Sequence, residues 1–269
     1  MAAILDAHGL NKSFGAVTAA SDINAAIEKD SVVGLIGTNG AGKTTFINMI
    51  TGYLKPDRGR IHYEGRDITD LTPREITRIG ICRSFQIPQL YSSLTARENM
   101  IIGLGVVMRN AGVGGFFSRG TPNVPGHDRP ADEVADAILE RFGLSEYRDR
   151  NAQVLPGGVR KLLDIALTMA AKPRVLLLDE PTSGVSAEEK FAIMEMIMRA
   201  VRAEGATVLF VEHDMEVVSR FAERVLAFYD GRIIADAPPE VALSDREVRR
   251  FVVGGELHRI DEKRGGANA

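Results

Sequence analysis

The stretch GTNGAGKT, residues 37 to 44, matches the pattern G-x-x-x-x-G-K-[ST] of a loop that wraps a phosphate chain. Gly37, Gly40 and Gly42 allow backbone N–H groups to converge on phosphate oxygens, with Thr38, Asn39 and Ala41 between them. Lys43 is placed to reach the terminal phosphates and Thr44 to offer a hydroxyl to Mg2+. Such a loop needs a carboxylate for the metal, and VLLLDE supplies Asp179 and Glu180 where an apolar run ends. In an ATPase, Asp179 would hold Mg2+ through its water shell and Glu180 would orient and polarise the attacking water. His213 in VEHD follows a second apolar run, from which it could reach a γ-phosphate or serve as a structural hydrogen-bonder. Gln86 in RSFQ is, taken alone, an ordinary turn or surface residue, and LPGGV (Leu155, Pro156, Gly157, Gly158, Val159) is a glycine turn feeding a helix.

The elements that must position these residues follow from apolar spacing. SVVGLIG (31 to 37) is a short buried strand, the glycine loop follows it, and KTTFINMITGYL has helical periodicity, which together begin an α/β unit. RVLLLDEP (174 to 181) and ATVLFVEHD (206 to 214) are continuous apolar runs of the kind found in parallel strands buried on both faces. Upstream, Ile4 to Ile27 alternates apolar with polar residues. RIHYEGRDI is a hairpin turning near Glu64-Gly65, and RVLAFYDGRIIA is one closed by Asp230-Gly231. Residues 90 to 165 are mainly helical. ADEVADAILERFGL puts Val134, Ile138, Leu139 and Phe142 on one face and stops at Gly143. Residues 109 to 130 carry five glycines and three prolines and are expected to form a loop. Ser186 and Glu189 form a capping-box pattern for a helix with Phe191, Met194, Ile197, Met198 and Val201 inward. The tail from 254 to 269 is polar.

Composition narrows the function. Against 36 acidic residues stand 33 Lys and Arg, a net charge of −3 without the footprint of a nucleic-acid binder. The only cysteine, Cys82, leaves no internal disulfide and no multi-cysteine metal site. No apolar run approaches the ~18 residues of a membrane span, so a membrane role is expected to run through a partner.

Taken as a set, GTNGAGKT, the glutamine of RSFQ, LPGGV, LLLDEP and the histidine of VEHD resemble the ATP-binding cassette (ABC) ATPases in order and approximate spacing. The resemblance covers residues 4 to about 253. It implies an α/β P-loop NTPase with a RecA-like core, an N-terminal antiparallel β subdomain and an inserted α-helical subdomain. It also implies two subunits that sandwich two ATP molecules. By the same resemblance Phe14 stacks on adenine, Gly37 to Thr45 hold the phosphates, and Thr44, Gln86 and Asp179 attend Mg2+. Glu180, His213 and Gln86 form the catalytic set, and 155 to 159 face the ATP of the opposite subunit. The family signature Leu-Ser-Gly-Gly-Gln is altered, with Pro156 for serine and Val159 for glutamine. Ser186 stands where an aspartate is usual.

Within the family, RSFQIPQLYSSLTARENMIIG, the Gly/Pro-rich insert and the ending FYDGRIIADAPPEVALSDREVRRFVVGG look most like ATPase subunits of branched-chain amino-acid importers. That likeness implies permease subunits, a periplasmic solute-binding protein and a second ATPase subunit, identical or different. It places the chain at the cytoplasmic face of a bacterial inner membrane. Importers of urea, amides or organic acids, a lipopolysaccharide-export ATPase, a non-transport cassette and a degenerate regulatory module remain alternatives.

Overall fold

The computed structural model describes residues 3–84, 89–112 and 123–254. The elements in chain order are β1 (Ala3–Phe14), β2 (Val17–Glu28), β3 (Val32–Gly37), α1 (Lys43–Ile50), β4 (Arg58–Tyr63), β5 (Arg66–Asp67) and α2 (Pro73–Arg78). Then come β6 (Ile81–Arg83), α3 (Ala96–Asn110), α4 (Ala131–Arg141), α5 (Gly157–Met169), β7 (Val175–Asp179) and α6 (Lys190–Glu204). The chain continues with β8 (Thr207–Val211), α7 (Met215–Phe221), β9 (Arg224–Tyr229), β10 (Arg232–Ala237) and short helical turns up to Val253. It divides into two compact units, Met1–Ile76 with Thr207–Ala269, and Thr77–Ala206.

In the first unit an antiparallel sheet runs in the order β2-β1-β4-β5. Its β4–β5 turn uses Glu64 at φ 48° and Gly65 at φ 78°, the two positive values a two-residue hairpin turn needs. A second layer has β3 at its centre, flanked in parallel by β8 and β9, with β10 antiparallel on β9. Every residue of β3 and of β8 is buried, which is why both read as unbroken apolar runs rather than alternating ones. Phe46 of α1 meets Phe228 of β9 at 5.5 Å between ring centroids, tying the helix after the glycine loop to the sheet. The expected α/β core and N-terminal antiparallel sheet are both present.

In the second unit β6 lies parallel to β7, with Arg83 opposite Leu177. Helix α3 opens on a complete capping box between Thr95 and Glu98 and buries Met100, Leu104 and Met108. Helix α4 buries Val134, Ile138 and Leu139, Phe142 follows at 1% exposure, and Gly143 turns the chain at φ 63°, as the periodicity predicts. The Ser186–Glu189 hydrogen bonds also form, yet helix α6 is assigned only from Lys190. Its inward face carries Ile193, whereas Phe191 is half-buried, with the Lys190 ammonium 4.9 Å from its ring centroid. Of the Gly/Pro-rich stretch, 109 and 110 belong to α3 and 123 to 130 form turns that bury Val124. Residues 113 to 122, and the tail beyond 254, lie outside the described residues.

Candidate nucleotide site

The glycine loop leaves the end of β3 and runs into α1. Two of its glycines are required by space. A Cβ on Gly37 would lie 2.5 Å from the Phe228 carbonyl oxygen, and one on Gly42 would lie 2.8 Å from that of Ala19. Gly40 is exposed at φ 82°. The loop is closed by Ala41 N–H donating to the Thr38 carbonyl (3.1 Å) and braced from outside by Gly231 N–H donating to the Ala41 carbonyl (3.0 Å). Lys43 is 6% exposed, and its ammonium donates to the carbonyls of Gly37 (2.5 Å) and Thr38 (3.0 Å). Its charge is therefore held inside the curve of the loop. Helix α1 has no acidic residue in its first turn to offset its positive end, and Thr44 is exposed there, with Thr45 half-buried behind it.

His213 belongs to the same unit. Its strand β8 pairs with β3 up to Leu35–Val211, and both chains leave the sheet at the same carboxyl edge. In open parallel sheets that edge is where ligands bind. His213 is half-buried, and Asp214 after it caps α7 by accepting from the Glu216 and Val217 amides. Phe14, at the tip of the β1–β2 hairpin, is 53% exposed, with the Lys12 ammonium 5.7 Å from its ring centroid. It is a presented aromatic rather than a core residue. Asp57 holds that tip by accepting from Lys12 Nζ (2.7 Å) and from the Ser13 amide (2.8 Å).

The second unit carries the carboxylates. Asp179 ends β7, and its Oδ2 accepts from the Arg83 guanidinium at 2.6 Å, both side chains being at most 15% exposed. Glu180 is half-buried and adopts φ 47°, a left-handed value rare outside glycine and asparagine. Ser183 N–H donates to the Glu180 carbonyl at 3.1 Å, forming a turn after the strand.

Helix α5 starts at Gly157, with Pro156 as its N-cap and no side-chain cap bond. Leu155 is buried, Pro156 and Gly157 are exposed, and Gly158 and Val159 are half-buried. A Cβ on Gly158 would lie 2.9 Å from Ile193 Cδ1, so this glycine lets the helix approach α6. The Lys161 ammonium, one turn on, donates to the Asp179 carbonyl at 3.1 Å. The structure thus joins the LPGGV helix to the strand end that bears both carboxylates. Gln86 lies outside the described residues.

Arg83, Lys161, Gly231 and Asp57 have no place in the motif reading. The signal for Lys161 is a lysine set within the apolar face formed by Leu162, Ile165 and Met169. Nothing in the pattern around Gly231 beyond its hairpin turn shows that it braces a loop.

The chain is similar to known proteins along most of its length. The family described as ABC transporter matches residues 20–183. A high-affinity branched-chain amino acid transport ATP-binding protein of Pseudomonas aeruginosa, BraF, is 34% identical over 251 residues, covering 93% of this chain and 98% of that protein. A crystal structure of the ADP conformation of an ATP-binding cassette of an ABC transporter superposes with TM-score 0.78 at 31% identity, covering 93% of this chain and 98% of that one. A dimeric cassette in a post-hydrolysis state, bound to ADP and Pi, gives TM-score 0.71 at 26% identity over 87% of this chain and 98% of its own.

Proposed function

This chain belongs to the ABC transporter family and is an ATPase, and we propose that it powers an importer of branched-chain amino acids or a related small polar solute. The observation that carries the transport reading is the end-to-end likeness to BraF, a transport ATP-binding protein by name. In this reading permease subunits and a periplasmic solute-binding protein complete the complex. The chain sits at the cytoplasmic face of the inner membrane, and among the described residues no helix is long and apolar enough to cross it.

The roles are those that the family resemblance implies for these residues. Phe14 stacks on the adenine. The amides from Gly37 to Thr45 and the Lys43 ammonium bind the phosphates, Lys43 exchanging loop carbonyls for phosphate oxygens of higher charge. The residues suit Mg2+: the exposed Thr44 hydroxyl would be a hard oxygen ligand, and the Asp179 carboxylate would hold the ion through its water shell. No group of three His, Cys, Asp or Glu side chains among the described residues could hold a metal alone, so the remaining ligands would be phosphate oxygens and water. Bound there, Mg2+ neutralises charge on the phosphates. Glu180 orients the attacking water and accepts its proton on a carboxylate oxygen, while His213 hydrogen-bonds the γ-phosphate and Gln86 senses the metal and the water. Segment 155 to 159 serves the ATP bound by a second cassette, as the dimeric relative motivates. Its first helix turn bears no acidic residue and opens on two glycines, so backbone amides and the helix end can meet a phosphate without the missing serine.

The test is uptake in the host organism. Replacing the chromosomal copy with the Glu180→Gln variant should reduce uptake of labelled leucine, isoleucine and valine to the level of a deletion strain. Uptake of all three at the parental rate would overturn the branched-chain amino-acid assignment.

A further inference from the structure

We infer that Lys161 is a positioning residue for hydrolysis: carried on the LPGGV helix, its ammonium holds the Asp179–Glu180 peptide and so sets where the Glu180 carboxylate points. This rests on the reading of Glu180 as the residue that activates water. Lys161 is 2% exposed, a burial that lysine almost never shows without a specific partner. Its Nζ donates to the Asp179 carbonyl oxygen at 3.1 Å, which is one end of the peptide leading into Glu180. The side chain of that same residue is held separately, by Arg83 at 2.6 Å. On the far side, Ser183 N–H donates to the Glu180 carbonyl at 3.1 Å, and Pro181 disfavours the right-handed helical conformation for Glu180. Glu180 is therefore clamped between two anchored peptides in a left-handed conformation, φ 47°, that its own side chain disfavours. Such a conformation persists only where its surroundings impose it, and Lys161 is one of the groups imposing it.

The position of Lys161 in its helix gives the contact a second meaning. It lies four residues after Gly157, about one helical turn or ~6 Å along the axis. A displacement of the α5 N-terminus, such as a phosphate binding at Gly157 and Gly158 would produce, moves the ammonium and with it the Asp179 carbonyl. The lysine is thus a short connection between the segment offered to one ATP and the carboxylate that acts on the other.

The test compares Lys161→Met, Lys161→Arg and Glu180→Gln in the full chain. It reads steady-state ATP turnover, ATP affinity from a fluorescent nucleotide, melting temperature, and amide exchange over residues 180 to 185. Lys161→Met should lower kcat about tenfold or more while KM and ATP affinity stay within about twofold. Exchange over 180 to 185 should quicken, and Lys161→Arg should recover at least about half of kcat. Should Lys161→Met fail to fold, Lys161→Gln replaces it under the same criteria. A kcat within about twofold of wild type, or a loss that follows ATP affinity and melting temperature and is not rescued by arginine, would overturn the proposal. Glu180→Gln separates the two levels: if it alone loses turnover, the positioning role fails and the Glu180 reading stands. If Glu180→Gln turns over normally, the Glu180 reading fails and the inference falls with it.

Discussion

At Pro156 the backbone has φ −54° and ψ 153°, the extended entry geometry of a helix N-cap, with no side chain to bond the amides that follow. Serine fits those angles, and its hydroxyl would add both a cap and a phosphate ligand, so Pro156→Ser should raise ATPase activity or leave it unchanged. Its melting temperature should hold or rise, since an N-cap serine is worth about 1 kcal/mol over an uncapped end. A collapse of activity measured on the purified chain would give the proline a positive role. The phosphate-loop residues were legible because each is tied to backbone conformation or reach: Gly37 and Gly42 have no room for a Cβ, and Lys43 lies buried in the curve it closes. Lys161 and Arg83 were not legible as site residues, because their partners are a main-chain carbonyl and a carboxylate 18 and 96 positions away.

Between elements, helices α3 and α4 are joined by Arg97, whose guanidinium donates to Asp136 at 2.8 and 3.2 Å, with Arg148 3.8 Å from the same carboxylate. The Arg97 hydrogen bond lowers the Asp136 pKa from its ordinary 3.8, outweighing partial desolvation. A carboxylate with a depressed native pKa stabilises the fold above its unfolded pKa and loses that contribution as pH falls through the native one. Asp136→Asn should therefore lower the melting temperature near pH 6, and the difference should shrink and vanish as the pH falls below the ordinary carboxylate range and through the lowered native pKa. Because the two side chains are 27% and 36% exposed, solvent screening holds the effect to about 1 kcal/mol or less. A pH-independent difference would contradict the ion pair. Elements with strong local signals were readable at this scale: both two-residue hairpin turns, the buried runs of β3, β7 and β8, and helix α4 through Gly143. The start of α6 was less so. Its capping bonds form one turn before regular helix begins, and whether Phe191 or Ile193 faces inward depends on what α5 leaves room for at Gly158.

For the whole molecule, chemistry is divided between two compact units. Met1–Ile76 with Thr207–Ala269 carries Phe14, the phosphate loop and His213, and Thr77–Ala206 carries both carboxylates and the LPGGV helix. Strand pattern and motif order alone led to one domain with a helical insert at about residues 90 to 165, and did not separate the carboxylates from the phosphate loop. Partner identity could not be read either, because residues that recognise a permease answer to a surface outside this chain. In the proposed reading nucleotide is bound through one set of residues and cleaved through another, so the two functions should separate by mutation. The most direct measurement is phosphate release by Glu180→Gln beside its ATP affinity. Turnover should fall at least about a hundredfold, the scale of losing a general base, with affinity within about twofold of wild type. Turnover near the wild-type rate would contradict Glu180 as the group that activates water.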